Sequence, residues 1–331
     1  MNELIPQFNW HDVVVSPWTD GFSSTIWIVL MGAMVATACG LVGNYLILRR
    51  MALVGDAISH SVLPGLAIAF LLTGSRGSGV MFFGALLAGV ATTLLIELIH
   101  KKSRVKQDAA IGIAFTSLFA LGVILISVYA ASGKVDLDQE CVLYGEIGLV
   151  WLEEQTVIAG ATIGPESVVR MTAIALITVV LVVLFYKELL VSSFDPGLAS
   201  SLGINAGLVH YALMSWLSVV VVSAFESVGA ILVIAMLILP GATASLLTYR
   251  LPRVMALTVL HGVISSVGGL HLALWLGCST AGAMVVVGSG LFVCAWIFSP
   301  SQGLLRRWLV KVEDAPLDPT ISTKPMKEAH L

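Results

Sequence analysis

The chain has 331 residues, of which 58% are hydrophobic and 11% charged, and its formal net charge is −3. Soluble domains carry about 25% charged residues, so this composition excludes a soluble globular protein, and a small negative charge without a basic stripe excludes nucleic acid as a partner. The apolar residues run in blocks of about 20, long enough for helices across a ~30 Å hydrocarbon core and unlike the alternating strands of an outer-membrane barrel, which predicts an all-α, polytopic transmembrane bundle in the lipid bilayer.

Residues 1–21 precede the first apolar block and read as an extracytoplasmic segment. The first basic residue is Arg49, so the charged region that opens a cleavable signal is missing and the first block is expected to remain as a span. Spans are predicted near 22–48, 52–73, 79–99, 108–131, 169–186, 208–225, 228–248, 254–276 and 280–298. That makes about nine, or eight if one candidate is lost. The sixth and seventh are nearly continuous and are divided at Glu226-Ser227-Val228-Gly229, because about 40 apolar residues exceed a single tilted span. Placing the N-terminus outside puts all but Arg76, Lys134 and Arg170 of the 17 Lys and Arg residues inside, which predicts an N-out, C-in topology. The external loop 132–168 is acidic and is expected to hold a short interfacial helix around Val142–Trp151; the segment 192–207 is cytosolic; the proline-containing tail 311–331 reads as disordered. The four cysteines show neither CxxC nor Cys/His spacing, so no zinc knuckle or disulfide framework is indicated.

Ionisable residues inside spans are costly and therefore mark functional candidates. Asp56 and His60 stand four residues apart, so they share one helix face, and a carboxylate with an imidazole offers ligands to a divalent ion such as Mn²⁺, Fe²⁺ or Zn²⁺. Pro64 lacks an N–H, so the carbonyl of His60 loses its helical partner beside those ligands. The alternative is an Asp–His pair that neutralises itself as packing within the bundle. Glu226 falls at the predicted outer turn, where it is either a loop carboxylate in water or a carboxylate of the pathway. Glu97 is expected to pair with Lys101 at a solvated helix end, and His210, His261 and His271 read as isolated histidines. Gly32, Ala36 and Gly40 form a small-residue ridge suited equally to an intrachain seam or a dimer seam.

The stretch 192–203 carries helix signals of its own. Asp195 suits an N-cap, Pro196 the first helical position and Gly203 the residue after the C-cap, predicting a short helix over 196–202. Phe194, Leu198 and Leu202 give it an apolar stripe with no intrachain partner in view, as in a docking helix. The chain has no G-x-x-x-x-G-K-[ST], so ATP would have to be bound by a partner, and no H-E-x-x-H of a membrane protease.

The run Leu48-Arg49-Arg50-Met51-Ala52-Leu53-Val54-Gly55-Asp56-Ala57-Ile58-Ser59-His60-Ser61-Val62-Leu63-Pro64-Gly65 resembles the signature of the membrane permeases of bacterial manganese/zinc/iron uptake ABC transporters. Later segments agree in order and spacing: Tyr186-Lys187-Glu188-Leu189-Leu190, Phe194-Asp195-Pro196-Gly197-Leu198-Ala199 with Leu202-Gly203, and Val228-Gly229-Ala230 through Leu239-Pro240-Gly241-Ala242. The resemblance covers roughly residues 22–310 and implies a transmembrane permease of the bacterial cytoplasmic (inner) membrane, without enzyme activity or permanently bound cofactor. It further implies a cytosolic ABC ATPase subunit that carries the ATP, an extracytoplasmic metal-binding solute-binding protein, and a second permease copy or a paralogous permease. By this resemblance Asp56 and His60 are the metal pair, and Asp195, Pro196 and Ala199 belong to the loop that meets the ATPase. A role for Glu226 is not inherited, and eight spans are the family's usual number. The rival reading is a secondary cation/proton transporter with Asp56 as its coupling site.

Overall fold

The computed structural model describes residues 6–74, 78–130, 147–158 and 161–299. The tail at 311–331 and residues 132–146 of the acidic loop lie outside them. The chain runs through α1 (Phe22–Leu48), α2 (Val54–Thr73), α3 (Ser78–Lys102) and α4 (Gln107–Ala130). A 3-10 turn (Ile147–Leu152) and an antiparallel hairpin, β1 (Gln155–Ile158) with β2 (Ala161–Pro165), follow. Then come α5 (Glu166–Leu184), α6 (Tyr186–Phe194), α7 (Pro196–Ser201), α8 (Ala206–Leu247), α9 (Leu251–Leu276) and α10 (Thr280–Phe298). Among the described residues, eight of these helices are long and apolar enough to cross a membrane. The charges at their ends follow the helix dipole: α3 closes on His100, Lys101 and Lys102, and Asp108 lies in the first turn of α4.

α1 occupies the centre, about 40 Å long at 1.5 Å per residue, and nearly every residue from Met31 to Leu46 is buried. Its ridge of small residues packs against α9: a Cβ on Gly32 would lie 2.7 Å from Ser266 Oγ, one on Gly40 would lie 2.5 Å from Thr258 Cγ2, and Gly262 faces Ala36. The ridge is therefore an intrachain seam. With lipid outside there is no hydrophobic drive between spans, so backbones brought close by glycine gain dispersion contacts instead. One cross-helix hydrogen bond adds to them, Asn44 Nδ2 donating to Thr258 Oγ1 at 3.1 Å. α1 ends on Arg50 in the left-handed region (φ 58°), with Arg50 N donating to Ile47 O and Met51 N to Leu46 O. This closes the helix as a Schellman turn built on arginine instead of glycine.

The 42-residue α8 is helical except at Gly229 (φ 77°, ψ 166°). His210 Nδ1 lies 3.0 Å from Arg49 Nη1. At the other side of Gly229, a Cβ on Gly241 would lie 2.5 Å from Asn44 Oδ1. A straight helix would hold these two residues about 46 Å apart, so the chain doubles back at Gly229 and both arms lie along α1. Only a residue without Cβ adopts this backbone cheaply.

The hairpin β1/β2 lies in the region read as an acidic loop with one short helix; the 3-10 turn Ile147–Leu152 overlaps the end of that expected helix. Thr156, Val157, Ile158, Thr162 and Ile163 are β-branched and fit a strand. Gly164 presses on the indole of Trp27 in α1.

The α1–α9 seam can be measured. Gly40→Val should destabilise the protein by about 1–3 kcal/mol through overpacking, read as a lower midpoint of thermal unfolding in detergent. Gly112→Val, where nothing lies within 4 Å of the new Cβ, should leave the midpoint near wild type.

Candidate metal centre and coupling surface

Asp56 and His60 sit in the first two turns of α2, where the positive end of the helix dipole favours a carboxylate. His60 Nε2 is 3.3 Å from Asp56 Oδ1, and their side chains are 25% and 37% exposed, so both retain an open side. The imidazole is held between Phe115 and Phe119 of α4, at ring-centroid distances of 5.2 and 5.9 Å. The neighbouring hydroxyls are otherwise engaged: Ser59 donates to Gly55 O and Ser61 to Ala57 O. Pro64 packs close to Gly122 of α4, whose added Cβ would lie 2.8 Å from Pro64 Cδ.

Among the described residues no group of three or more His, Cys, Asp or Glu side chains converges. Among the described residues, Asp56 and His60 are therefore the two such side chains that meet here, whereas first-row divalent ions take about four to six ligands. A complete site requires donors from outside this pair.

Glu226 stands apart from it. It lies in α8 three residues before Gly229 and pairs with Arg170 of α5 at 2.9 Å; the guanidinium also lies over Phe82 at 5.5 Å. Around this pair, Glu153, Glu154, Glu166 and Ser167 help wall a cavity of about 240 Å³. Glu153 Oε2 accepts from Ser167 N at 3.1 Å and so caps α5.

α7 forms as its caps dictate. Asp195 Oδ1 accepts from Gly197 N (2.9 Å) and Leu198 N (3.0 Å), Pro196 begins the helix, Leu202 is the C-cap and Gly203 takes φ 81°. Ala199 is buried against the bundle, while Phe194, Leu198 and Leu202 are 66%, 50% and 62% exposed. The apolar stripe thus points away from the chain.

Glu97 departs from the solvated helix end expected of it. Its side chain is 8% exposed and binds both Lys101 Nζ (2.8 Å) and His210 Nε2 (2.7 Å), so His210 is not isolated either. Arg49, Ser192 and Ser193 complete this cluster. Sequence reasoning missed it because the partners lie 113 to 161 positions apart, where no local spacing connects them. His261 binds Gly288 O across to α10, and His271 binds Trp18 and Val13 of the N-terminal segment.

The ABC 3 transport family matches residues 22–299, from the start of α1 to just past α10. The chain belongs to this family. The manganese transport system membrane protein MntD of Bacillus subtilis is 46% identical over 283 residues, 86% of this chain and 95% of that protein. The zinc transport system membrane protein TroD of Treponema pallidum is 44% identical over 286 residues, 86% of this chain and 77% of that one. Among solved structures, PsaBC from Streptococcus pneumoniae in complex with Fab matches with a TM-score of 0.72 at 32% identity, covering 91% of this chain and 100% of that one. An ABC 3 chain with these apolar helices is an integral protein of the cytoplasmic membrane, a permease component and not an enzyme.

The Arg170–Glu226 pair is partly exposed, so its coupling should be small. In a double-mutant cycle, Arg170→Gln and Glu226→Gln should each cost about 0.5–1 kcal/mol and the double variant no more than either, with coupling read from unfolding midpoints. Fully additive losses would show that the two residues act separately.

Proposed function

We propose that this chain is the membrane-spanning permease subunit of an ATP-driven importer of divalent transition-metal ions. The observation that carries the reading is the Asp56–His60 pair, 3.3 Å apart and partly exposed, in a chain of the ABC 3 family. Relatives named for manganese and zinc transport support Mn²⁺ or Zn²⁺ as cargo, with Fe²⁺ within the same ligand chemistry. Two donors per chain argue for a paired permease, in which Asp56 and His60 of two subunits meet at a central gate beside the carbonyl freed by Pro64. Glu226 is assigned to the outer end of the path, held by Arg170.

The membrane domain spans 22–310 with nine crossings, α8 counting as two, and the N-terminal segment 1–21 lies outside. The segment 192–207 is then cytosolic, as is the tail 311–331. In α7 and its flanks, Phe194, Leu198 and Leu202 dock into a cytosolic ATPase that binds ATP, while Asp195, Pro196, Ala199 and Gly203 shape the helix. An extracytoplasmic solute-binding protein delivers the metal.

Asp56→Asn and His60→Ala each remove a ligand and preserve span length, so both variants should reach the membrane in normal amount yet lose ATP-dependent ⁵⁴Mn²⁺ uptake. Wild-type uptake kinetics in both would overturn the site assignment. The docking stripe has its own test. Truncating a buried apolar anchor typically costs about 1–4 kcal/mol of binding, so Leu198→Asp with Leu202→Asp should free the ATPase from purified permease, while metal binding at Asp56 and His60 persists in detergent. Co-purification of the ATPase at wild-type stoichiometry would remove the docking role, and uptake that follows a proton gradient without an ATPase would support a secondary transporter instead.

A further inference from the structure

The polar cluster beside α7 has a directed hydrogen-bond order that follows from which atoms can donate. Arg49 has donors only, so at 3.0 Å from Nη1 the Nδ1 of His210 must accept. The ring then carries its proton on Nε2 and donates it to Glu97 Oε1 at 2.7 Å. Glu97 Oε2 in turn meets Lys101 Nζ at 2.8 Å, and Lys101 donates to Tyr211 Oη at 2.9 Å. On its other edge Arg49 donates from Nε to Ser193 Oγ and from Nη2 to Ser192 Oγ, both at 3.0 Å. Each serine hydroxyl spends its own proton on Leu189 O, which leaves its lone pairs to the guanidinium. Every nitrogen of Arg49 is engaged.

These bonds join the end of α1, the last turns of α3, the end of α6 and the start of α8. On one side, Ser193 is two residues before Asp195, the N-cap of α7. On the other, Arg49 leads into α2 through a turn without slack: Arg50 is held in the left-handed region, Met51 is buried, Met51 N donates to Leu46 O at 2.8 Å, and Val54 N donates to Met51 O at 3.1 Å. Asp56 stands in the first turn of the helix beyond.

We propose that Arg49 is a positioning residue that couples α7 to the metal-bearing helix α2, gripping Ser192 and Ser193 with one edge of its guanidinium and His210 with the other. The inference rests on the permease reading above. A displacement of α7 pulls α6, the serines carry it to Arg49, and the tight turn delivers it to Asp56 and His60. Lysine cannot replace this grip, since a single ammonium cannot span three acceptors on two helices as a planar fork does.

A spatial chain of contacts is not by itself evidence of coupling, so the test reads coupling directly. The whole transporter, with ATPase and binding protein, is reconstituted in liposomes, and Mn²⁺ taken up per ATP hydrolysed is compared for wild type, Arg49→Lys and Ser192→Ala with Ser193→Ala. The expected result for both variants is ATP hydrolysis within about twofold of wild type and a drop in uptake per ATP of about tenfold or more. A merely structural cluster would lower uptake and hydrolysis in proportion and keep the ratio; that outcome, or an unchanged ratio with normal uptake, overturns the inference. The serine variant removes only two hydroxyls and carries the test if Arg49→Lys does not assemble. Absence of ATP-driven uptake by wild type would instead remove the permease reading, and this inference with it.

Discussion

In a hydrocarbon slab no water is available to a backbone N–H or C=O, so each must find its partner within the chain. This requirement governs both the helices and their polar side chains. Thr37, Ser61, Thr178, Ser218, Thr243 and Ser266 all donate to the carbonyl four residues earlier, so their hydroxyls are satisfied within their own helices. Breaks in the helical ladder occur at Pro64, Gly229 and Pro240, and all three are buried in protein and not turned to lipid. Polar groups that cannot close on their own helix pair across helices instead, and those pairs mark the places where the bundle does more than pack.

They concentrate near the two ends. Arg170 and Glu226 tie α5 to the bend of α8 at one end, beside the acidic residues of the hairpin region. At the other, Arg49, Glu97, Lys101 and His210, with Ser192 and Ser193, tie four helices together behind α7. Between them the Asp56–His60 pair is bound within one helix, and its open side faces no third ligand among the described residues. The pair is thus the one of these three polar groups whose side chains lie on a single helix.

Local chemistry carried most of what the sequence disclosed. Asp56 and His60 share a face because four residues make one turn, and α7 is read from Asp195, Pro196 and Gly203 because caps act over three or four residues. Boundaries moved where polar residues extend a helix past its apolar block: α5 begins at Glu166 and α8 at Ala206, before the blocks that start near 169 and 208. The division at 226–229 narrowed to Gly229, since Glu226, Ser227 and Val228 stay helical. Contacts between distant segments had no local signature. The partner of the Gly32 ridge, the hairpin packed on Trp27, and the link from Arg49 to His210 depend on tertiary proximity that periodicity does not encode.

The reversal at Gly229 also decides where the described chain begins and ends. Pro6 and Val13 are bound to Trp275 and His271 near the end of α9, whereas Ser299, after α10, donates to Leu246 O beside the start of α9. The first and last described residues therefore emerge on opposite faces of the bundle, and Ser299 emerges on the face that carries α7. Without the fold-back, the second arm of α8 and the described helices after it would be inverted, and Ser299 would lie on the face opposite α7. One glycine backbone thus decides which face of the bundle α9, α10 and Ser299 come to lie on.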